Sequence, residues 1–206
     1  MIILSKQIHE ETITYGNQKS FTTSIIKSKE KGDSCNEVKL DFRLHSSTHV
    51  DFPYHFIDNG KKGEDFPYFN RYTGVEVINL IELKSLLYLE ESKREVNLHI
   101  DCLLLNFKSA EIDSFKRNCG LSLVASHTLL NLYPKLKAIM LNTLSISSLN
   151  NRFEGRAVHQ FILNKNILIY EDCDFSKITS TPINSINVFH VFGGSLDGSP
   201  CIIYID

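Results

Sequence analysis

No two cysteines in this sequence form a C-x-x-C pair. Cys35, Cys102, Cys119, Cys173 and Cys201 are scattered and odd in number. That pattern excludes a cysteine zinc site and speaks against a disulfide framework, so reduced thiols in a cytoplasmic protein are expected. Long apolar runs are missing as well. Near the start only Ile2, Ile3 and Leu4 are continuous, too few for the core of a signal peptide. Nothing approaches the roughly 20 apolar residues of a membrane span. Charge imbalance is also absent: 22 Lys and Arg face 24 Asp and Glu, for a net charge of -2. Such a balance offers no electrostatic case for nucleic acid or an anionic membrane as partner. No repeat, linker or low-complexity block divides the 206 residues, so a single domain over 1–206 is expected.

The chain does hold 42% hydrophobic residues, enough for a sizeable core. Residues 37–44 alternate strictly, with Val38, Leu40, Phe42 and Leu44 apolar and charged residues between them, which predicts a strand with one buried face. Further strands are expected at 75–80, 99–107, 136–142, 166–171, 186–192 and 201–205. Helices are expected at 122–133, stopping before Pro134, and at 154–164. The segment 82–95 is ambiguous. Loop 57–74, with Gly60, Gly63, Pro67 and three aromatics, is long enough for a lid or an oligomer contact. Strands and helices mixed through the chain point to an α/β or α+β fold around a large sheet.

Straight after the alternating strand stand His45, His49, Asp51 and His55, three of the eight histidines within eleven residues. If Val38 to Leu44 face the core, the same parity turns His45, Ser47, His49 and Asp51 to the polar side. Full extension cannot continue, because positions 45 and 55 would then lie about 33 Å apart. The backbone must curl, and Pro53 is the natural bend. A curled segment could aim two imidazoles and a carboxylate at one point, with His55 beside them. Such donors suit Zn²⁺, Mn²⁺ or Fe²⁺ and leave room for water. A purely structural zinc site and a polar surface turn are the blander readings. His159 on the second helix and Glu171 at a strand end form a further candidate pair. His9, His99, His127 and His190 lack partners at any recognisable spacing and are read as structural.

The stretch HSSTHVDFPYHF, residues 45–56, resembles the H-x-G-T-H-x-D-x-P-x-H-F signature of the metal-dependent cyclase family, which includes bacterial kynurenine formamidase and isatin hydrolase. Only the glycine differs, replaced by Ser47. Residues 4–17 are similar to the family's opening strand and turn, VHQFILNKNILIYEDCDFS to its H-x-x-L-L…E-x-L segment, and GGSLDGSPCIIYI to its terminal D-G-S-P strand. The resemblance implies a mixed, partly barrel-like β-sheet with flanking helices, in homodimers. It implies one metal on His45, His49 and Asp51, and a second shared by Asp51 with His159 and Glu171. His55 becomes the proton donor and acceptor. The departures are Ser47, Asn142 for an aspartate, Tyr15 where relatives carry tryptophan, and 101–120, which has no clear match. No tryptophan occurs anywhere in the chain.

The expected activity is therefore hydrolysis of a small amide, an arylformamide or a cyclic amide, by a metal-bound hydroxide with His55 as proton shuttle. Zinc is the expected metal, with manganese the alternative, at one or two per chain. Tyr15 is assigned to substrate contact. A non-catalytic metal- or ligand-binding descendant, or a metal-dependent lyase or cyclase, are the rival readings.

Overall fold

The structure is a computed structural model that describes residues 1–12, 14–80, 95–107, 120–147 and 151–206. Its strands are, in chain order, β1 (Ile2–Ile3), β2 (Phe21–Lys27), β3 (Glu37–Phe42), β4 (His49–Asp51), β5 (Phe69–Tyr72), β6 (Val75–Leu80), β7 (Cys102–Phe107), β8 (Ala138–Leu141), β9 (Leu168–Glu171), β10 (Ile186–His190) and β11 (Gly198–Ile205). The described helices are α1 (Leu123–Leu132) and α2 (Arg152–Leu163). The ambiguous segment falls almost wholly outside the described residues, as do Cys119 and most of 101–120.

Nine strands make one mixed, barrel-like sheet in the order β5-β10-β11-β4-β9-β8-β7-β6, with β1 paired to β11. Strands β6 to β9 run parallel; β9, β4, β11, β10 and β5 pair antiparallel. The two central parallel strands β7 and β8 are buried along their whole length and almost wholly apolar, because both of their faces are covered. In β7, Leu103, Leu105 and Phe107 join one apolar cluster and Cys102 and Leu104 the other. The first cluster packs under α1 and α2 through Ala125, Leu129, Val158 and Ile162. The second holds Val50, Met140, Tyr170, Val188 and Ile203 on the other side of the sheet.

Both helices start where a polar side chain satisfies free backbone N–H groups. Ser122 accepts from the Ala125 N–H, and Asn151 from the Glu154 N–H. No helix among the described residues is long and apolar enough to cross a membrane.

Two expectations need correction. Strand β3 exists, yet its apolar face is not covered by the chain's core: Val38 and Leu40 are 59% and 53% exposed. It pairs only with β2, in a separate two-stranded ribbon. Alternation establishes that a strand has two unlike faces, but which surface meets the apolar one is a matter of topology. Loop 57–74 is no simple lid either. It contains β5, an edge of the main sheet, and its Gly63 and Glu64 N–H groups donate to the carbonyls of Leu196 and Gly194. It thereby braces the turn that leads into β11.

His190 is buried at the end of β10, its Nε2 facing the Tyr170 hydroxyl at 3.1 Å, which in turn meets the Tyr72 hydroxyl at 3.1 Å. Burial pulls its pKa down from 6.5 to about 4. The unfolded chain takes up this proton near pH 6.5 and the folded chain only near 4, so stability is lost as pH falls between those values, by about 3 kcal/mol. Urea denaturation at pH 7 and pH 4.5 checks this. His190→Gln is expected to remove much of the difference between the two.

Candidate metal centre

Strand register builds the site. In β4, Val50 enters the inner apolar cluster, so His49 and Asp51 point to the opposite face, the face that carries α2. His49 stands directly across from Glu171 on β9. Helix α2 lies over this face and adds His159 from above. It can come that close because residue 155 is glycine: a Cβ there would lie 2.2 Å from the Ser147 Cβ. On the other flank β11 sets Gly198 opposite Asp51. A side chain at that position would strike His45, with its Cβ 2.6 Å from the ring's Cε1.

His45 arrives from the turn between β3 and β4, so the parity of β3 does not carry through to it. Ser47 within the turn has φ of 56°, a left-handed conformation that disfavours residues with a Cβ. This is the position where the resembling signature has glycine. The curl around Pro53 is present as a single 3₁₀ turn, Pro53–His55.

Two imidazoles are fixed from behind. His49 Nδ1 donates to the Ser47 carbonyl and His159 Nδ1 to the Gly155 carbonyl, each at 2.8 Å. A carbonyl only accepts, so both Nδ1 atoms carry hydrogen and both Nε2 atoms face the cluster. There the Asp51 carboxylate divides. Its Oδ1 lies 2.8 Å from His45 Nδ1 and 3.4 Å from His49 Nε2, and its Oδ2 lies 3.5 Å from His159 Nε2. Glu171 completes the set, with Oε1 3.4 Å from His159 Nε2 and Oε2 3.6 Å from His49 Nε2. Its Oε1 also accepts from the Ile146 N–H at 2.7 Å.

Donor atoms of His45, His49 and Asp51 lie within 4.8 Å of one another, as do those of Asp51, His159 and Glu171. Ligands on a tetrahedral ion with bonds near 2.1 Å stand about 3.4 Å apart. A divalent ion would find nitrogen and oxygen donors in either set, with Asp51 common to both, and the donor atoms of His45, His55 and Asp197 stand equally close.

The electrostatics match that use. Burial alone would strip the proton from His45, but the hydrogen bonds it donates to Asp197 and Asp51 hold its pKa at about 10. Burial likewise opposes charge on His159, and Asp51 and Glu171 hold it at about 10. Asp51 stays ionised despite full burial, because His55, His159, His45 and His49 surround it. The carboxylates thus demand positive charge, and a cation entering the cluster takes the place of protons.

His55 stands beside the cluster. Its ring stacks on His45 at 3.9 Å between centroids, and its Nδ1 lies 3.1 Å from Asp197 Oδ2. The same oxygen lies 2.9 Å from His45 Nε2. Asp197 escaped the sequence reading although its signal was present, since it is the aspartate of the D-G-S-P segment. A cavity of about 410 Å³ opens onto this group of side chains, walled by Leu44, Phe56 and Leu144 and lined by Tyr15. All seven candidate residues therefore border one space. Asn142 lies elsewhere. Its Oδ1 accepts from the Phe107 N–H while its Nδ2 donates to the Phe107 carbonyl and to Asn106 Oδ1. It ties β8 to β7, and the donations need an amide rather than a carboxylate.

Gly198→Ala should push His45 aside and weaken divalent-cation binding ten-fold or more, at a stability cost of about 1–3 kcal/mol. Calorimetric titration with Zn²⁺ beside a denaturation curve checks it. Unchanged affinity would show that the ring accommodates the methyl group.

Comparison with known proteins places the chain among relatives. The sequence model of a family described as putative cyclase matches residues 2–147. The kynurenine formamidase of Bacillus thuringiensis subsp. konkukian is 36% identical over 61 residues, 30% of this chain and 29% of that protein. That of Bacillus mycoides is 30% identical over 102 residues, 48% of this chain and 46% of that protein. The matched stretches thus span less than half the length of these relatives. Among solved structures, isatin hydrolase A from Labrenzia aggregata, bound to benzyl benzoate, superposes with a TM-score of 0.68 at 12% identity, over 100% of this chain and 93% of the other. With the family's pattern matched across more than two thirds of its length, the chain belongs to the cyclase family.

Proposed function

We propose that the chain is a metal-dependent hydrolase of small amides, acting on an arylformamide or a cyclic amide. The observation that carries this reading is the cavity that opens directly onto the carboxylate–imidazole cluster. A structural site closes its coordination shell, whereas a reacting site keeps a position open to solvent and substrate. The names of the kynurenine formamidase and isatin hydrolase relatives agree with chemistry at a C–N bond of that kind.

His45, His49 and Asp51 would hold one ion, and Asp51, His159 and Glu171 a second, with zinc proposed and manganese the alternative. Ions held there supply a Lewis acid for the carbonyl oxygen and lower the pKa of water toward neutrality. The chain's own residues do the rest. Asp197 accepts from His55 Nδ1, which leaves His55 Nε2 free to take a proton from the attacking water. The carbonyl carbon gains a C–O bond, the C–N bond breaks, and the proton on Nε2 passes to the departing nitrogen. Phe56 and Leu44 exclude water beside the reacting carbon, and Tyr15 contacts the substrate body. Reduced, scattered thiols fit a cytoplasmic setting for this enzyme.

Elemental mass spectrometry of the untagged protein should find up to two ions per chain, and Asp51→Ala should lose them. His55→Ala should retain the metal while turnover of formanilide falls about 100-fold or more. A metal-free wild-type protein after supply of Zn²⁺ or Mn²⁺ would sink the reading. Full activity in His55→Ala would sink the shuttle alone.

A homodimer is part of the same proposal, supported by the ribbon. Directly opposed pairs Ile25/Val38 and Thr23/Leu40 share one face, and Ser24/Lys39 and Thr22/Asp41 the other. An isolated two-stranded ribbon is marginal in water, and this one keeps Ile25, Val38 and Leu40 exposed. A second copy covering that face would account for it. Light scattering should give twice the chain mass for the wild type and a monomer for Val38→Asp/Leu40→Asp. A monomeric wild type would refute the assembly.

A further inference from the structure

The cavity has a second charged region that hydrolysis of a plain amide leaves unused. Arg152 and Arg156 on α2 and Arg43 on the segment after β3 line it together with the metal-centre residues. Spacing explains their placement. Residues 152, 156 and 159 fall on one stripe of a helix, so the arginines continue the row begun by His159. At 1.5 Å per residue they sit about 4.5 Å and about 10 Å along the axis from it, toward the helix start.

No described residue neutralises these charges. Among the described residues no carboxylate pairs with Arg43, Arg152 or Arg156; the cations in ion pairs are lysines, Arg71 and the site histidines. Glu154, between the two helical arginines in sequence, turns away and accepts from the Leu123 N–H and the Asn151 amide. The carboxylates that do line the cavity, Asp51, Glu171 and Asp197, are each held by site histidines. Three solvent-exposed arginines thus line the same space as the cation site, together with the apolar Leu44, Phe56 and Leu144. Guanidinium is the side chain best matched to a planar oxyanion, which it binds through paired N–H donors.

We propose that Arg152, Arg156 and Arg43 select an amide substrate that carries an oxyanionic group, a carboxylate or a phosphate, on an apolar body spanning from the metal centre to the start of α2. The inference rests on the hydrolase reading above and adds the substrate class to it. The arginines are specificity-determining residues: they orient the substrate and take no part in bond cleavage.

The test uses metal-loaded wild-type protein and the Arg152→Gln/Arg156→Gln variant, with metal content and thermal melting confirming that the variant is intact. Binding of benzoate, phenyl phosphate and neutral benzamide is measured by calorimetry. Kinetics compare formanilide with 3-formamidobenzoate. The wild type is expected to bind at least one anion ten-fold or more tighter than benzamide, and the variant to lose that margin. The tighter of the two anions identifies the group. In kinetics the carboxylated substrate should be favoured through KM, and the preference should collapse toward one in the variant. Anion affinity that survives in the variant would mean direct binding at the metal and would overturn the proposal, as would equal affinity for benzoate, phenyl phosphate and benzamide in the wild type. Turnover of neither formamide would refute the hydrolase reading, while the binding comparison would still decide the role of the arginines.

Discussion

A buried carboxylate governs this molecule. Asp51 is 1% exposed and stays ionised, a state that an apolar interior permits only when compensating charge or donors stand within reach. One of its oxygens faces the imidazoles of His45 and His49 and the other that of His159, and this division makes one aspartate the centre of the cluster. The supporting contacts follow. His49 and His159 are pinned by backbone carbonyls so that their free nitrogens face inward. Glu171 is pinned by the Ile146 N–H. Two glycines keep open the space that α2 and His45 occupy. Removing any of these leaves a buried charge without its partner, which costs more than the loss of a surface pair.

The sheet makes this arrangement possible by presenting unlike faces from the same short strands. Val50 and Tyr170 anchor β4 and β9 in the inner apolar cluster, while their neighbours His49, Asp51 and Glu171 point to the helix side. The junction between the antiparallel and parallel parts of the sheet, β4 beside β9, thus delivers His49, Asp51 and Glu171, and the buried strands β7 and β8 back it. Hydrogen bonds from Asn142 to Phe107 and Asn106 fasten the ends of two parallel strands close to the loop that bears Ser145 and Ile146. The departure from the family's aspartate at that position reads as framework, away from the metal centre. The arginine stripe on α2 extends the same logic outward, since the helix that delivers His159 also places Arg152 and Arg156 on the cavity wall.

Much of this was legible beforehand. Residues 75–80 form the expected strand without adjustment, and both helices lie within two residues of their expected ends. The cluster from His45 to His55 announced itself because imidazoles and a carboxylate at such density have no place in a core. The pair His159 and Glu171 carried little weight from spacing alone; resemblance to a known signature selected them, and the register of β4 against β9 joins them to Asp51. Asp197 was overlooked because a single aspartate before a glycine resembles any turn until its partners are known.

What the sequence by itself determined is therefore local and chemical: which segments alternate, where helices are capped, and which side chains can take up a proton or a cation. It determined that β3 would have an apolar and a polar face, though not that β2 would pair with it. It could not determine that the apolar face would stay outside the chain's own core, because burial depends on which element is packed against a strand. Nor could it place the three arginines along one cavity, with Asp197 between two imidazoles. Those are relations between residues up to 152 positions apart, and only strand register and helix docking bring such residues within the few ångströms over which charges and hydrogen bonds act.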